Sequence, residues 1–299
     1  MRATPHIRQP PAEVDITLEL VRALLRAQHA DLADEPIHPV AEGWDNAVFR
    51  VGQHLAVRLP RRQSATAFLL KEQTWLPELA PHLPVRVPTP VRVGQPGEGY
   101  PWRWSVVPWL EGTPADLCAA DADQGATLAA FFDALHRPAP ENAPFNDWRG
   151  VPLSDRRAVI DARLHQLGPE MAATMVCVEK IWLDALDAPI DVTRSWLHGD
   201  LHSQNVLVED GRITGIIDWG DLCQGDRATD LAATWILLGD IRARQAVIRL
   251  CPGVSESTWR RARGWAVFFG VLLSDIGLAG NARHGAVGRL TLQRVAEGP

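Results

Sequence analysis

The spacing of apolar residues changes twice in the first third of the chain. Over residues 16–32, Ile16, Leu20, Leu24 and Leu32 recur at helical intervals behind the acidic Glu13 and Asp15, which predicts an opening amphipathic helix. Short apolar runs follow at 37–40, 47–51 and 55–59, separated by Gly43, Asp45, Asn46 and Gly52, and predict antiparallel strands joined by tight turns. Helical periodicity returns over 64–79. Beyond the prolines of 84–90 come two more strand-like runs, 91–93 and 102–107. The first third is therefore a small sheet with a helix inserted.

Pro108, Trp109, Leu110, Glu111 and Gly112 break the strand pattern, and from Asp116 the chain is chiefly alanine- and leucine-rich helix. This predicts an α+β chain with a sheet-bearing lobe over 1–107, a hinge at 108–112 and a helical lobe over 113–299. The helical part is interrupted once, between His198 and Asp218, by a segment that reads as loop, strand, turn and strand.

At 299 residues and 46% hydrophobic content, the chain exceeds the usual size of one compact domain, which agrees with two lobes. The formal charge of -6, without a long basic run, argues against a nucleic-acid surface. No segment is apolar for long enough to span a bilayer or to serve as a secretory core, so a cytoplasmic protein without membrane partners is expected. The four cysteines, Cys118, Cys177, Cys223 and Cys251, have neither disulfide nor zinc spacing. Lysine occurs only at Lys71 and Lys180.

The chemistry is concentrated in the run Ser195 to Gly220, SWLHGDLHSQNVLVEDGRITGIIDWG. Asp210-Gly211 between β-branched runs is a strong hairpin signal, because both positions tolerate positive φ. A turn there brings Asn205 and Asp218 to one mouth of the hairpin, with Asp200 a short loop upstream. Such a trio suits phosphoryl transfer, in which a protein mainly positions reactants and neutralises charge. Asn205 and Asp218 offer Mg2+ the hard oxygen donors it prefers, and Asp200 is the candidate catalytic carboxylate, orienting a hydroxyl and taking its proton. The register of His198, Gly199, Asp200 and Asn205, then Asp218, Trp219 and Gly220, reproduces the protein-kinase pattern H-R-D-x-x-x-x-N and D-F-G with two substitutions.

HGDLHSQN from His198 to Asn205, with IIDWGD from Ile216 to Asp221, resembles the aminoglycoside phosphotransferase family. The resemblance implies a protein-kinase-like two-lobed fold, with a small antiparallel-sheet N-terminal lobe and a mainly helical C-terminal lobe. It implies ATP or GTP as co-substrate and a small-molecule acceptor. It extends to GDRATDLA from Gly225 to Ala232, where Asp230 matches an aspartate that braces the catalytic loop, and Arg227 stands where proline is usual. His198 and His202 are expected to be buried and to organise the loop.

The same resemblance implies a phosphate-facing turn at Gly43 and Asn46, and a strand lysine paired with a helix glutamate. Here Arg58 occupies the lysine's position and Glu72 is its expected partner; Lys71, one residue before Glu72, should point elsewhere, into solvent. In the hinge, the Pro108 carbonyl and the Leu110 amide are implied as base contacts. The helical segment 116–191 and the terminal helices should wall the acceptor cleft, with Asp221 and Asp226 as candidate contacts to a cationic acceptor. Related folds phosphorylate aminoglycosides, macrolides, choline and homoserine, so the acceptor is less defined than the reaction; an aminoglycoside antibiotic is the expected one, with a macrolide or a metabolite as the alternatives.

Two rival readings compete. The alternation His198, Asp200, His202 resembles a transition-metal ligand set and would suit a metal-dependent hydrolase, although no second histidine cluster completes a shell. The absent strand lysine would suit a catalytically silent nucleotide-binding module, although an intact Asp200 has little use in one.

Overall fold

The computed structural model describes residues 6–167 and 172–298. The chain separates into two compact units, one comprising Gln9–His82 and Arg86–Glu111, the other Met1–Arg8, Leu83–Val85 and Gly112–Pro299.

The smaller unit is built on a five-stranded sheet. Its strands are β1 (Ile37–Glu42), β2 (Asn46–Val51), β3 (Leu55–Pro60), β4 (Arg92–Gly94) and β5 (Trp104–Pro108), in the order β1-β2-β3-β5-β4, with every neighbouring pair antiparallel. Helix α1 (Leu18–Gln28) buries Val21, Leu24 and Leu25, one helical face, against a core that includes Phe49, Val57, Trp104 and Val106. It is shorter than the 16–32 periodicity predicts. Thr17 stops it at the front by accepting a hydrogen bond from the Leu20 amide (3.2 Å), and the chain past His29 tightens into a 3-10 turn over Ala30–Leu32. Helix α2 (Thr66–Leu79) buries Leu69, Glu72, Leu76 and Leu79. Lys71 on that helix is half-buried, with its ammonium 5.2 Å from the Phe68 ring centre, and is not the solvent-facing residue expected.

The larger unit is mainly helical: α3 (Gly125–Leu135), α4 (Arg157–Leu164), α5 (Ala172–Leu186), α6 (Ala228–Leu231), α7 (Ala233–Leu237), α8 (Ile241–Leu250), α9 (Glu256–Leu278) and α10 (Ala282–Glu297). Helix α9 is its axis, with fifteen buried residues, including the aromatic run Trp265, Phe268 and Phe269. Part of the segment expected to wall an acceptor cleft, 168–171, lies outside the described residues.

Strands interrupt the helices more often than the single break predicted. A three-stranded sheet orders β6 (Thr113–Pro114), β8 (Val206–Glu209) and β9 (Arg212–Ile216), and β7 (Ser195–Leu197) pairs with β10 (Cys223–Gly225). Pieces of two or three residues carry too little alternation to announce themselves in sequence. Among the described residues, no helix is long and apolar enough to cross a membrane.

Candidate active site

The hairpin of β8 and β9 positions the chemistry of the larger unit. Asp210 and Gly211 adopt φ of 48° and 74°, the two positive values a two-residue turn of the favoured hand requires, and Glu209 pairs with Arg212 across it. At the far end Val206 pairs with Ile216, and the Ile217 amide donates to the Asn205 carbonyl (2.8 Å). Asp218 follows immediately, with φ of 61°, so the chain turns sharply where this carboxylate leaves the ladder. Asn205 reaches back to the loop: its amide nitrogen donates to the Asp200 carbonyl (2.9 Å) and lies 3.4 Å from Asp200 Oδ2.

Three groups hold the Asp200 carboxylate. Arg149 donates to Oδ1 at 3.0 Å, while His202 Nε2 and the Asn205 nitrogen lie 3.3 Å and 3.4 Å from Oδ2. His202 Nδ1 accepts from the Gln204 amide (3.2 Å), so the ring proton sits on Nε2 and is directed at Asp200. Burial opposes the negative charge on Asp200, but His202 and Arg149 outweigh it and hold the carboxyl well below the usual carboxylate range. The Arg149 guanidinium is raised despite its burial, by Asp200 and Asp221. Arg149 had no signal in the sequence: it lies in a loop 51 residues before Asp200.

Around this centre the loop is held by buried groups. Asp230, 1% exposed, accepts hydrogen bonds from the His198 amide (2.7 Å) and the Gly199 amide (2.9 Å). His198 is wholly buried; its Nδ1 accepts from the Asp200 amide (3.2 Å), which leaves Nε2 to donate to the Ile217 carbonyl (3.0 Å). The loop that carries Asp200 is thereby tied to the end of the hairpin. Arg227, where proline is usual, keeps a φ of -57°, close to the value proline imposes, and donates to the Gly253 carbonyl.

The two candidate acceptor carboxylates part company. Asp221 is half-buried beside the centre; burial pushes its carboxyl up, Asp200 and Asp218 add to the shift, and Arg149 and Asn146 oppose it. Its Oδ1 accepts from Asn146 (2.6 Å). Asp226 does not face an acceptor. Its side chain is 4% exposed and both oxygens are engaged by Arg261 of α9, at 2.6 Å and 3.2 Å, so the expected substrate contact is a buried ion pair.

The donor set fits a divalent cation. Asn205 and Asp218 present hard oxygens, and because the Asn205 nitrogen is committed to Asp200, its amide oxygen is the end that no described residue engages. The hydrolase alternative fails on the histidines: both ring nitrogens of His198 are spent within the protein. Among the described residues no group of three or more His, Cys, Asp or Glu is arranged to hold a metal ion.

In the smaller unit, Arg58 on β3 and Glu72 on α2 form a buried ion pair, 2.6 Å between Nη1 and Oε2, with side-chain exposures of 9% and 1%. The turn after β1 is partly committed to itself: the Gly43 amide donates to the Asn46 carbonyl (2.9 Å), so that amide does not face outward to a phosphate as expected. The Gly43 carbonyl accepts from Arg61 (2.9 Å) and Gln9 (2.8 Å), and Asn46 is buried with its side-chain oxygen unpartnered. At the end of β5, Pro108 pairs with Leu55 and Leu110 is buried, while the intervening Trp109 amide donates to the His54 carbonyl (2.7 Å).

The sequence profile of the phosphotransferase enzyme family matches residues 36–265. Viomycin phosphotransferase of Streptomyces vinaceus is 34% identical over 137 residues, 43% of this chain and 45% of that protein. Aminoglycoside 3'-phosphotransferase of Escherichia coli is 29% identical over 115 residues, 38% and 42% of the two chains. The match thus spans under half the length of these curated relatives. The GDP complex of aminoglycoside 2'-phosphotransferase-IIIa superposes with a TM-score of 0.70 at 20% identity, covering 93% of this chain and 97% of that one. A macrolide 2'-phosphotransferase from Brachybacterium faecium gives 0.59 at 24% identity, covering 92% and 97%. The likeness in structure is one of fold: an antiparallel N-terminal sheet followed by a largely helical region.

Proposed function

The chain belongs to the phosphotransferase enzyme family, and on that footing we propose that it transfers the γ-phosphate of a nucleoside triphosphate to a hydroxyl of a small molecule. The observation that carries this reading is the coupling of Asn205 to Asp200 through 2.9 Å and 3.4 Å contacts, at the mouth of a hairpin whose other strand leads directly into Asp218. Phosphoryl transfer asks a protein for charge neutralisation and alignment, and three oxygen-bearing side chains held by one local fold supply both.

In the reaction, the acceptor oxygen bonds to the γ-phosphorus as that phosphorus parts from its bridging oxygen, and the electron pair leaves on the nucleoside diphosphate. Asp200, kept ionised by its neighbours, orients the hydroxyl and receives its proton. Asn205 and Asp218 would hold Mg2+, which supplies positive charge to the phosphates when bound. In the smaller unit, Arg58 steadied by Glu72 is proposed to bind phosphate oxygens in place of a lysine, and Pro108 and Leu110 to meet the base. ATP and GTP are both candidates: one neighbouring fold holds GDP, and another was solved as a streptomycin–ATP ternary complex.

An aminoglycoside is the proposed acceptor, in keeping with the name of the Escherichia coli relative, with half-buried Asp221 beside Asp200 proposed to meet a substrate ammonium. A macrolide is the second reading. What supports it is the likeness in fold to a macrolide 2'-phosphotransferase.

The test is a panel of aminoglycosides, viomycin, macrolides and homoserine, screened for nucleotide consumption with ATP and GTP. Turnover with one class is expected, and the Asp200→Asn variant should lose about 1,000-fold in kcat while binding nucleotide as before. A variant within tenfold of wild type would show that the base lies elsewhere.

A further inference from the structure

Most buried arginines in the larger unit spend their guanidinium on several acceptors. Arg261 engages both oxygens of Asp226, Asp191, Thr258 and the Pro189 carbonyl. Arg149, with 14% of its side chain exposed, differs in aim: among the described residues its guanidinium makes one hydrogen bond, to Asp200 Oδ1 at 3.0 Å, and its Nε is unpartnered, as are those of Arg227, Arg244 and Arg263.

The loop that delivers Arg149 is nonetheless tightly built. The Asn146 side-chain oxygen accepts from the Trp148 amide (2.8 Å) and the Arg149 amide (3.2 Å), and its nitrogen donates to Asp221 (2.6 Å). The next residue, Gly150, has φ of 68°, and a Cβ there would lie 2.6 Å from a Leu197 methyl and 2.9 Å from the Gly225 Cα. The Gly150 amide donates to Thr229 (3.2 Å), and its carbonyl accepts from the Asp226 amide (3.0 Å). The guanidinium itself lies over two rings of α9, 5.4 Å from the centre of Phe268 and 4.9 Å from that of Phe269. Backbone and side chain are thus both fixed, and the free end meets one oxygen of one carboxylate.

We propose that Arg149 is a positioning residue for phosphoryl transfer: by gripping Oδ1 of Asp200 it sets the plane of that carboxylate and assigns Oδ2 to the acceptor hydroxyl. The other contacts to the carboxylate, His202 at 3.3 Å and Asn205 at 3.4 Å, both fall on Oδ2 and are long, so they leave that oxygen able to take a new hydrogen bond. Without Arg149 only the two long contacts at Oδ2 remain, and the carboxylate can tilt about its Cβ–Cγ bond with Oδ1 unheld. The inference rests on the phosphotransferase reading and goes beyond it in giving the two oxygens of Asp200 separate duties.

Steady-state kinetics of wild type, Arg149→Met, Arg149→Lys and Asp200→Asn, with the acceptor the panel identifies, test it. Misplacing a reacting group by about 1 Å costs about 100-fold, so Arg149→Met should lose about that factor in kcat with its nucleotide KM unchanged. Arg149→Lys should recover about tenfold of the loss, because it keeps the charge without the planar fork. Arg149→Met turning over within twofold of wild type would overturn the inference. So would equal inactivity of both variants with nucleotide KM raised in parallel, which is the signature of a merely structural arginine. If Arg149→Met does not fold, Arg149→Lys decides: kcat lowered several-fold at constant nucleotide KM supports the role, and unchanged kcat ends it. If Asp200→Asn is dead while Arg149→Met is active, this inference alone fails; if Asp200→Asn stays active, Asp200 is not the base and the inference fails with that assignment; if no acceptor of the panel is turned over, the phosphotransfer reading itself falls.

Discussion

Replacing Asp230 by alanine removes the acceptor of two backbone hydrogen bonds at once. The His198 and Gly199 amides donate to its two oxygens at 2.7 Å and 2.9 Å, in a site where Asp230 is 1% exposed. Each is a charge-assisted bond with a net worth of about 1.5–3 kcal/mol, and the two buried amides would be stranded. The expected loss is about 3–5 kcal/mol for Asp230→Ala, a third or more of the stability of an ordinary domain. Asp230→Asn keeps one acceptor oxygen but turns an amino group toward the other amide, so it should fall between wild type and alanine. Urea unfolding followed by tryptophan fluorescence gives the loss as a shifted midpoint at constant slope. Hydrogen exchange locates it: protection should fall first at the amides of 198 and 199. Turnover should fall in the same order as stability, because Asp200 is the next residue along. If Asp230→Ala unfolds within 0.5 kcal/mol of wild type, or those two amides keep their protection, the bracing role is refuted.

Asp226→Ala breaks the buried pair with Arg261 and should destabilise by about 3–5 kcal/mol while leaving acceptor KM within twofold; a raised KM with unchanged stability would return Asp226 to the acceptor site. His284, whose pKa burial and His202 push down to about 4 from 6.5, is easier to protonate unfolded than folded. Thermal stability of the wild type should therefore fall as pH drops from 6.5 toward 4, and His284→Gln should flatten that part of the Tm–pH curve; parallel curves would count against the shift.

The hairpin and its flanking residues were legible because their geometry is local. Asp210-Gly211 fixes the turn, the turn fixes the register, and the register decides which residues stand beside Asn205. Arg58 and Glu72, fourteen residues apart, were reached through the family resemblance and not through any pattern of their own. What stayed hidden depends on contacts between distant segments. Arg149 sits in a proline-rich loop, where an arginine looks like any surface charge. Asp226 was misjudged for the mirror reason: a carboxylate after glycine looks exposed, and only packing reveals that its partner lies 35 residues on, in a helix with neighbouring arginines at 260, 261 and 263. The opening helix was overextended because apolar spacing ran past both of its ends, where Thr17 caps the first turn and a 3-10 turn takes over after His29.

These distant contacts converge on the short stretch 225–230. Gly225 lies so close to Gly150 that a Cβ on it would approach the Gly150 Cα to 2.5 Å, and the next amide, that of Asp226, donates to the Gly150 carbonyl. The Asp226 carboxylate grips Arg261 of α9, the helix whose Phe268 and Phe269 lie under the Arg149 guanidinium. One helical turn later, Asp230 holds the two residues that precede Asp200. The arginine and the carboxylate it meets are therefore fixed to the same six residues from two sides. Their separation is set by backbone contacts and a buried ion pair, so little side-chain freedom has to be surrendered for the two to meet. A contact of that kind is available before substrate arrives, as a group that must aim a carboxylate at an incoming hydroxyl requires.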